Sequence, residues 1–174
     1  FLGRITMQKG PEYFVEAANM VLQRTRNVRF CMAGSGDMMD AMIYLAAERG
    51  IADRFHFTGF LRGEDVHKMF QLSDVYIMPS VSEPFGISPL EAMRSNVPVI
   101  ISKQSGVAEV LDYAIKVDYW DVDAMADAIY ALIKYPALAN MFASKGLEEV
   151  TNLKWNDAAA KIKAVYEAAI NDKK

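Results

Sequence analysis

The sequence VYIMPSVSEPFGISPLE, residues 75–91, carries the most informative local pattern of the chain. It begins with an apolar run typical of a buried strand and ends with helical spacing, and a turn that contains Gly86 joins the two. Open α/β sheets bind ligands where such turns leave the carboxyl ends of parallel strands, and helix N-termini favour anions. The two carboxylates of this stretch, Glu83 and Glu91, do not suit an anion. We interpret them as acceptors for hydroxyl groups, beside backbone N–H groups that bind phosphate, which is the chemistry of a sugar nucleotide.

Short apolar runs alternate with stretches of helical periodicity along the whole chain. The runs that predict strands are residues 1–2, 28–33, 54–58, 75–79, 97–102 and 114–117. The stretches that predict helices are residues 11–23, 37–49, 63–72, 89–95, 121–134, 136–151 and 155–170, with Asp37 as the cap of the second. This alternation predicts an α/β fold, in which a parallel sheet has helices on both faces and the C-terminal end is helical.

Composition and charge narrow the class of protein. The 174 residues are enough for one domain with a substantial core, and we expect residues 1–174 to form a single domain. A net charge of −3 provides no general attraction for nucleic acid or anionic lipid, so no nucleic-acid partner is expected. The single cysteine, Cys31, excludes an internal disulfide framework. Because Phe1 reads as the end of a strand, we expect an upstream portion and leave targeting open.

Two cations follow the first predicted strand, in the loop GRITMQKG of residues 3–10. Arg4 and Lys9 would suit a diphosphate leaving group at the carboxyl end of that strand. At about 4 Å and an effective dielectric constant near 20, each cation–phosphate contact has a gross Coulomb energy of about 4 kcal/mol. The net value is much smaller after desolvation. The alternative is a pair of solvated loop charges, but the glutamates of residues 83–91 favour diphosphate binding.

Two further turns are candidate ligand walls. Gly34 and Gly36 follow a strand and open a helix, which resembles the start of a dinucleotide fingerprint, but Met39 stands where the third glycine is needed. We therefore interpret this pair as a tight strand-to-helix turn. The sequence FTGFL, residues 57–61, leaves a short strand. Its Gly59, Phe60 and Leu61 form either a wall for the base, which backbone groups would recognise, or a plain loop.

Two features have competing structural interpretations. Ser88, with Pro89 next and Glu91 three positions on, fits a capping box, in which Glu91 would serve the backbone and not a ribose. The capping box does not explain Glu83 or the cations, so a binding role for Glu91 is favoured. Residues 121–123 read Asp-Val-Asp, a D-x-D pattern that binds a metal ion in some enzymes, but they begin a predicted helix and suit its cap and dipole. We therefore predict no metal site.

Several short motifs, in this order and at this spacing, carry a family resemblance over nearly the whole chain. They are Gly3-Arg4, Lys9-Gly10, AGSG at 33–36, FTGF at 57–60, EPFGISPLE at 83–91, PVIIS at 98–102 and GVAEV at 106–110. The chain resembles the C-terminal, donor-binding domain of retaining glycosyltransferases with the two-domain GT-B architecture. The resembled group is glycosyltransferase group 1, or family 4, which is related to the glycogen and starch synthases. The implied fold is a Rossmann-like half of a GT-B enzyme.

The resemblance implies roles for residues at the matching positions. Arg4 and Lys9 would stabilise the departing diphosphate, Glu83 would lie by the transferred sugar, and Glu91 would accept from ribose hydroxyls. The backbone of Gly86, Ile87 and Ser88 would hold the diphosphate or the sugar, and the turn at Gly34 and Gly36 would lie near the nucleotide. Catalysis would need neither a metal nor another cofactor, because the cations neutralise the leaving group.

The resemblance also implies partners for this domain. They are a nucleoside diphosphate sugar and an N-terminal, acceptor-binding domain of the same chain, without which transfer is not expected. The final helix crosses back to that domain in the resembled fold, so we expect part of its apolar stripe, residues 155–170, to be exposed. We expect a cytoplasmic enzyme, with any peripheral membrane contact made by the other domain. Alternatives are a non-catalytic nucleotide-sugar or glycan-binding module, and a nucleotide-sugar epimerase or a phosphorylase of the same architecture.

Overall fold

The structure is a computed structural model that describes residues 1–171, without the side chains of Trp155 and Asp157. Its strands are β1 (Phe30–Ala33), β2 (Phe55–Gly59), β3 (Tyr76–Met78), β4 (Val99–Ser102) and β5 (Ile115–Val117). Its α-helices are α1 (Pro11–Arg24), α2 (Met39–Glu48), α3 (Glu64–Gln71), α4 (Ser88–Arg94), α5 (Val122–Lys134), α6 (Pro136–Asn152) and α7 (Trp155–Asn171). All strand pairs are parallel, so the α/β prediction is confirmed.

The sheet differs from the prediction because it is divided into two parts. β1 pairs with β2, and β3, β4 and β5 pair in that order. The predicted first strand is reduced to one parallel bridge, between Leu2 and Ala33 at the carboxyl end of β1. A cavity of about 900 Å³ separates the two parts toward the amino ends of β1 and β3, and its walls include Phe1, Phe14 and Phe30. Polar residues such as Arg29, His56 and Asp74 also line this cavity, and neither Lys9 nor Glu83 does.

The apolar spacing of the helices explains how they cover the sheet. One face of α1 is buried and packs on α5, and its buried residues are Pro11, Phe14, Val15, Ala17, Ala18, Val21 and Leu22. All four residues of β4 are buried, as expected for a parallel strand with both faces covered. These contacts fix the strands, and with them the loops that leave their carboxyl ends.

The predicted cap of α2 is wrong. The helix begins at Met39, with Met38 in the N-cap position and no side-chain cap, and Asp37 lies in the preceding turn. Backbone carbonyls take the place of a capping side chain, since Met38 N–H donates to Ile5 O at 3.1 Å and Met39 N–H to Gly36 O at 3.2 Å. Because these N–H groups are already satisfied, an aspartate cap is not needed.

The apolar stripe of α7 is exposed where its side chains are described, as the sequence predicted. Ile162, Val165, Tyr166 and Ile170 are all more than half exposed. The predicted start of the stripe, Trp155, lies outside the described side chains. None of the helices within residues 1–171 combines the length and the hydropathy required to cross a membrane.

Candidate functional site

The loop of residues 3–10 is held against the carboxyl end of β3. Gly10 ends a short 3-10 turn, Met7–Lys9, with φ of +62°, and a Cβ at this position would collide with the carbonyl oxygen of Pro79. Only glycine tolerates both the positive φ and this close approach. Val81 N–H also donates to Gln8 O at 2.9 Å. These contacts bring Lys9 beside the segment that follows β3.

An ion pair joins Lys9 to Glu83 across this junction. The lysine side chain is 21% exposed and the glutamate side chain 12% exposed, so both are largely withdrawn from water. The backbone of Glu83 is fixed separately, because its carbonyl oxygen accepts from Gly106 N–H at 2.9 Å. Backbone contacts therefore hold both residues of the pair. The structure brings Lys9 and Glu83, which were both predicted as site residues, into direct contact.

A cavity of about 540 Å³ opens at this ion pair. The residues that line it are Lys9, Glu83, Pro84, Phe85, Gly86, Ile87 and Ser88. Gly86 has φ of +101°, which makes the turn possible. Within residues 1–171, the N–H groups of Gly86 and Ile87 have no backbone acceptor. The cavity thus combines a cation, a carboxylate and unpaired backbone donors, which together can bind a phosphorylated sugar.

The capping box, the alternative interpretation of Ser88 and Glu91, is not formed. Ile87 is the N-cap of α4, Ser88 is its first residue, and no side chain caps the helix. The Ser88 hydroxyl instead lies 2.8 Å from the hydroxyl of Tyr76. Glu91 is exposed and, in the part of the chain that the structure describes, its carboxylate forms no hydrogen bond. It is available to a ligand but does not line the cavity.

The turn at Gly34 and Gly36 packs directly on the loop that carries Arg4. A Cβ on Gly34, whose φ is +144°, would collide with Gly3 O, and a Cβ on Gly36 would collide with Ile5 O. Ile5 N–H donates to Ser35 O at 2.9 Å, which closes the contact. The glycines therefore shape this loop and lie beside the site. Arg4 is exposed next to them but does not line the cavity.

Residues 59–61 form the next wall along the sheet edge. Gly59 O accepts from Gly34 N–H at 2.8 Å, which ties the end of β2 to the glycine turn. Phe60 is 64% exposed, and the guanidinium carbon of Arg62 lies 5.2 Å from its ring centroid. Neither Phe60 nor Leu61 reaches the cavity beside Lys9, so the two lie at the edge of the candidate site.

The interpretation of Asp121 as a helix cap is confirmed. Asp121 is the N-cap of α5, and its carboxylate accepts from Ala124 N–H at 3.0 Å. Within the side chains that the structure describes, no three His, Cys, Asp or Glu residues lie close enough together to hold a metal ion.

Sequence reasoning missed the role of Tyr76, and it placed Gly106 in a motif without showing which contact needs a glycine there. Tyr76 is buried beneath the site, and burial raises the pKa of its phenol well above the ordinary range. A Cβ on Gly106 would collide with Pro84 O, so Gly106 is needed where the 83–88 segment packs on the loop after β4. The apolar pattern of β3 does not indicate that the hydroxyl of Tyr76 is buried and hydrogen-bonded. A single glycine such as Gly106 does not indicate which backbone atom approaches it.

The structure is an α/β domain with a cavity at the carboxyl edge of a parallel sheet, the edge at which such sheets bind ligands. The family model described as "Glycosyl transferases group 1" matches residues 1–149, and the chain belongs to this family of glycosyltransferase enzymes. The alpha-D-kanosaminyltransferase of Streptomyces kanamyceticus is 33% identical over 82% of this chain and 38% of its own length. The chain spans less than half the length of the first curated relatives that it matches.

Solved structures agree with this assignment. The C-terminal domain of the glycosyl transferase group 1 family protein LpcC from Francisella tularensis is 26% identical, with a TM-score of 0.79 over 86% of this chain and 82% of that one. Alr3699/HepE of Anabaena, solved in complex with UDP, is 19% identical, with a TM-score of 0.84 over 96% of this chain and 47% of that one. The Rossmann-like half of a GT-B fold, predicted from the motifs, is therefore confirmed.

Proposed function

We propose that this chain binds a nucleoside diphosphate sugar in the cavity beside Lys9 and Glu83, as the donor-binding half of a retaining glycosyltransferase. The observation that carries the proposal is the pairing of these two side chains, 74 positions apart, at the carboxyl edge of the sheet. A diphosphate needs a cation and a sugar needs a hydroxyl acceptor, and this cavity offers one of each. Membership of the glycosyltransferase family agrees with that pairing.

Lys9 would act where negative charge develops. When the bond between the anomeric carbon and the diphosphate oxygen breaks, the electron pair stays on the diphosphate. The oxygen of the acceptor hydroxyl bonds to the carbon, and the hydroxyl proton passes to the departing diphosphate. A cation held in place before the reaction stabilises this charge without reorganisation. Glu83 already orients Lys9, so the ammonium group is held in position before the donor arrives. Arg4, in the same loop and exposed, would add a second positive charge to the outer phosphate oxygens.

The remaining site residues would bind the other parts of the donor. The free N–H groups of Gly86 and Ile87, with the backbone of Ser88, would hold the diphosphate or the sugar. The exposed carboxylate of Glu91 would accept from the ribose hydroxyls. Gly34, Gly36, Gly59, Phe60 and Leu61 would form the wall on the nucleotide side. UDP in the structure of Alr3699/HepE supports a nucleotide ligand for this fold.

The acceptor side of the reaction would come from an N-terminal domain. The chain spans 38% of the kanosaminyltransferase, so relatives have room for such a domain. The exposed apolar side chains of α7, among them Val165 and Tyr166, would suit contact with it. We extend the proposal to transfer with retention of configuration, with neither metal nor other cofactor, in a cytoplasmic enzyme whose membrane contact, if any, is peripheral and made by that domain.

The proposal is tested by separating donor binding from transfer. We expect the purified chain to bind a nucleoside diphosphate sugar and to transfer none of the sugar, because the acceptor cleft needs the second domain. The measurement is equilibrium binding of radiolabelled donors, followed by product analysis with oligosaccharide and lipid acceptors. Binding without transfer supports a chain that binds the donor and needs a second domain for the acceptor. Rapid sugar transfer by the chain alone would contradict this proposal.

A further inference from the structure

Tyr76 places a buried hydroxyl group directly beneath the candidate site. It lies in β3, is 3% exposed, and its ring meets the ring of Phe70 edge-on at 5.6 Å between centroids. Its hydroxyl oxygen lies 2.8 Å from the Ser88 hydroxyl and 3.3 Å from the carbonyl oxygen of Leu2. A buried hydroxyl is costly unless it is hydrogen-bonded, so these two partners are what make tyrosine acceptable here.

The single proton of the phenol gives these contacts a direction. Tyr76 can donate to only one partner, and a backbone carbonyl can only accept. Both contacts are therefore hydrogen bonds at once when Ser88 donates to Tyr76 and Tyr76 donates to Leu2. The result is a short chain of hydrogen bonds from the start of α4 to the residue that precedes the loop of residues 3–10.

This chain of bonds links the start of α4 to the start of the 3–10 loop, where no other hydrogen bond within residues 1–171 joins the two. The other links are the Lys9–Glu83 ion pair and the bonds from the N–H groups of Val81 and Ser82 to Gln8 O, and they lie at the far end of the loop. Tyr76 holds the near end, where the loop begins. We propose that Tyr76 is a positioning residue, which acts through Ser88 and Leu2 to hold the 83–88 segment and the 3–10 loop at the separation that a nucleoside diphosphate sugar requires.

The proposal rests on the proposed function and is tested with Tyr76→Phe, which removes the hydroxyl and keeps the ring. Tyr44→Phe is the matched control, because it removes the same group from a side chain that is 76% exposed. Amide hydrogen exchange is measured for segments 1–10 and 83–94 and for β4, and UDP, GDP and ADP are titrated into each variant. We expect amide exchange in both segments to rise. Affinity for the nucleotide that binds should fall by about 2- to 12-fold, the range for one lost hydrogen bond.

A purely structural role would give a different pattern. Exchange would then rise in β4 as well as in the two segments, and affinity would change no more than in Tyr44→Phe, which would overturn the proposal. Ser88→Ala is a second variant, which removes the hydroxyl partner of Tyr76 and leaves the buried tyrosine ring unchanged. If the hydroxyl chain is the link, Tyr76→Phe combined with Ser88→Ala weakens binding no more than Tyr76→Phe alone, and additive losses would contradict it.

The two proposals fail in different ways. If the wild-type chain binds none of the three nucleotides, the proposed function is contradicted. The exchange measurement needs no ligand, so unchanged exchange in segments 1–10 and 83–94 of Tyr76→Phe overturns the positioning role whether or not a nucleotide binds.

Discussion

Lys9→Ala is expected to weaken binding of the nucleoside diphosphate by about 1.5–3 kcal/mol, or roughly 10- to 100-fold, the range for a hydrogen bond to a charged group. The lysine side chain is only 21% exposed, so its contact with a phosphate would be poorly screened by water. Glu83 would also lose its partner and place an uncompensated negative charge in the cavity. Both effects act in the same direction, against an anionic ligand. Calorimetric titration of the folded variant measures the loss.

Lys145→Ala is the matched control for this variant. Lys145 also forms an ion pair, with Glu148 at 2.8 Å, but it lies on α6 and does not line the cavity. Exposed pairs of this kind contribute about 0–1 kcal/mol to stability, so this change should leave both folding and binding nearly unaltered. If wild type and Lys9→Ala bound the nucleotide with equal affinity, Lys9 would not contact it, and the prediction would be contradicted.

Glu83→Gln is expected to separate the diphosphate from the sugar. The substitution keeps the size of the side chain and removes its charge, so Lys9 is released from its ion pair and repulsion of the phosphates falls. We expect affinity for the free nucleoside diphosphate to stay about equal, because the reduced repulsion offsets the loss of the contact that orients Lys9. Affinity for the diphosphate sugar should fall relative to it by roughly 10- to 100-fold, because a charged acceptor for sugar hydroxyls is lost.

The informative quantity for Glu83→Gln is the ratio of the two dissociation constants, measured by competition in one preparation. An unfolded fraction would affect both dissociation constants equally, so it cancels in their ratio. Glu48→Gln, at an exposed position of α2, provides the same chemical change away from the site. An unchanged ratio in Glu83→Gln would show that Glu83 does not contact the sugar, and its pairing with Lys9 would then be its main role.

The order of strands and helices was predictable because each depends on local spacing. Alternating apolar runs identify parallel strands, and parallel strands bring their following loops to one edge of the sheet. The predicted proximity of Lys9 to Glu83 follows from that rule without any knowledge of side-chain contacts. The division of the sheet does not follow from it, since only Leu2 of the first predicted strand pairs with β1.

Contacts that depend on packing were not predictable from the same patterns. Ser88 fits a capping box in the sequence, but its hydroxyl meets Tyr76, a residue of the neighbouring strand. Asp37 fits a cap, but the N–H groups at the start of α2 donate instead to carbonyl groups of the 3–10 loop and of the glycine turn. In both cases another contact engages the group that the capping rule would pair, namely the hydroxyl of Ser88 and the N–H groups at the start of α2. The capping rule held at Asp121, where no such contact intervenes.

The measurement that tests donor binding beside Lys9 and Glu83 most directly is calorimetric titration of the chain with UDP, GDP and ADP, run in parallel on wild type, Lys9→Ala and Lys145→Ala. We predict that wild type and Lys145→Ala bind one of these diphosphates alike and that Lys9→Ala binds it roughly 10- to 100-fold more weakly. The preferred diphosphate would also identify the base of the donor. Binding of equal strength in all three proteins, or no binding to any nucleotide, would contradict the site.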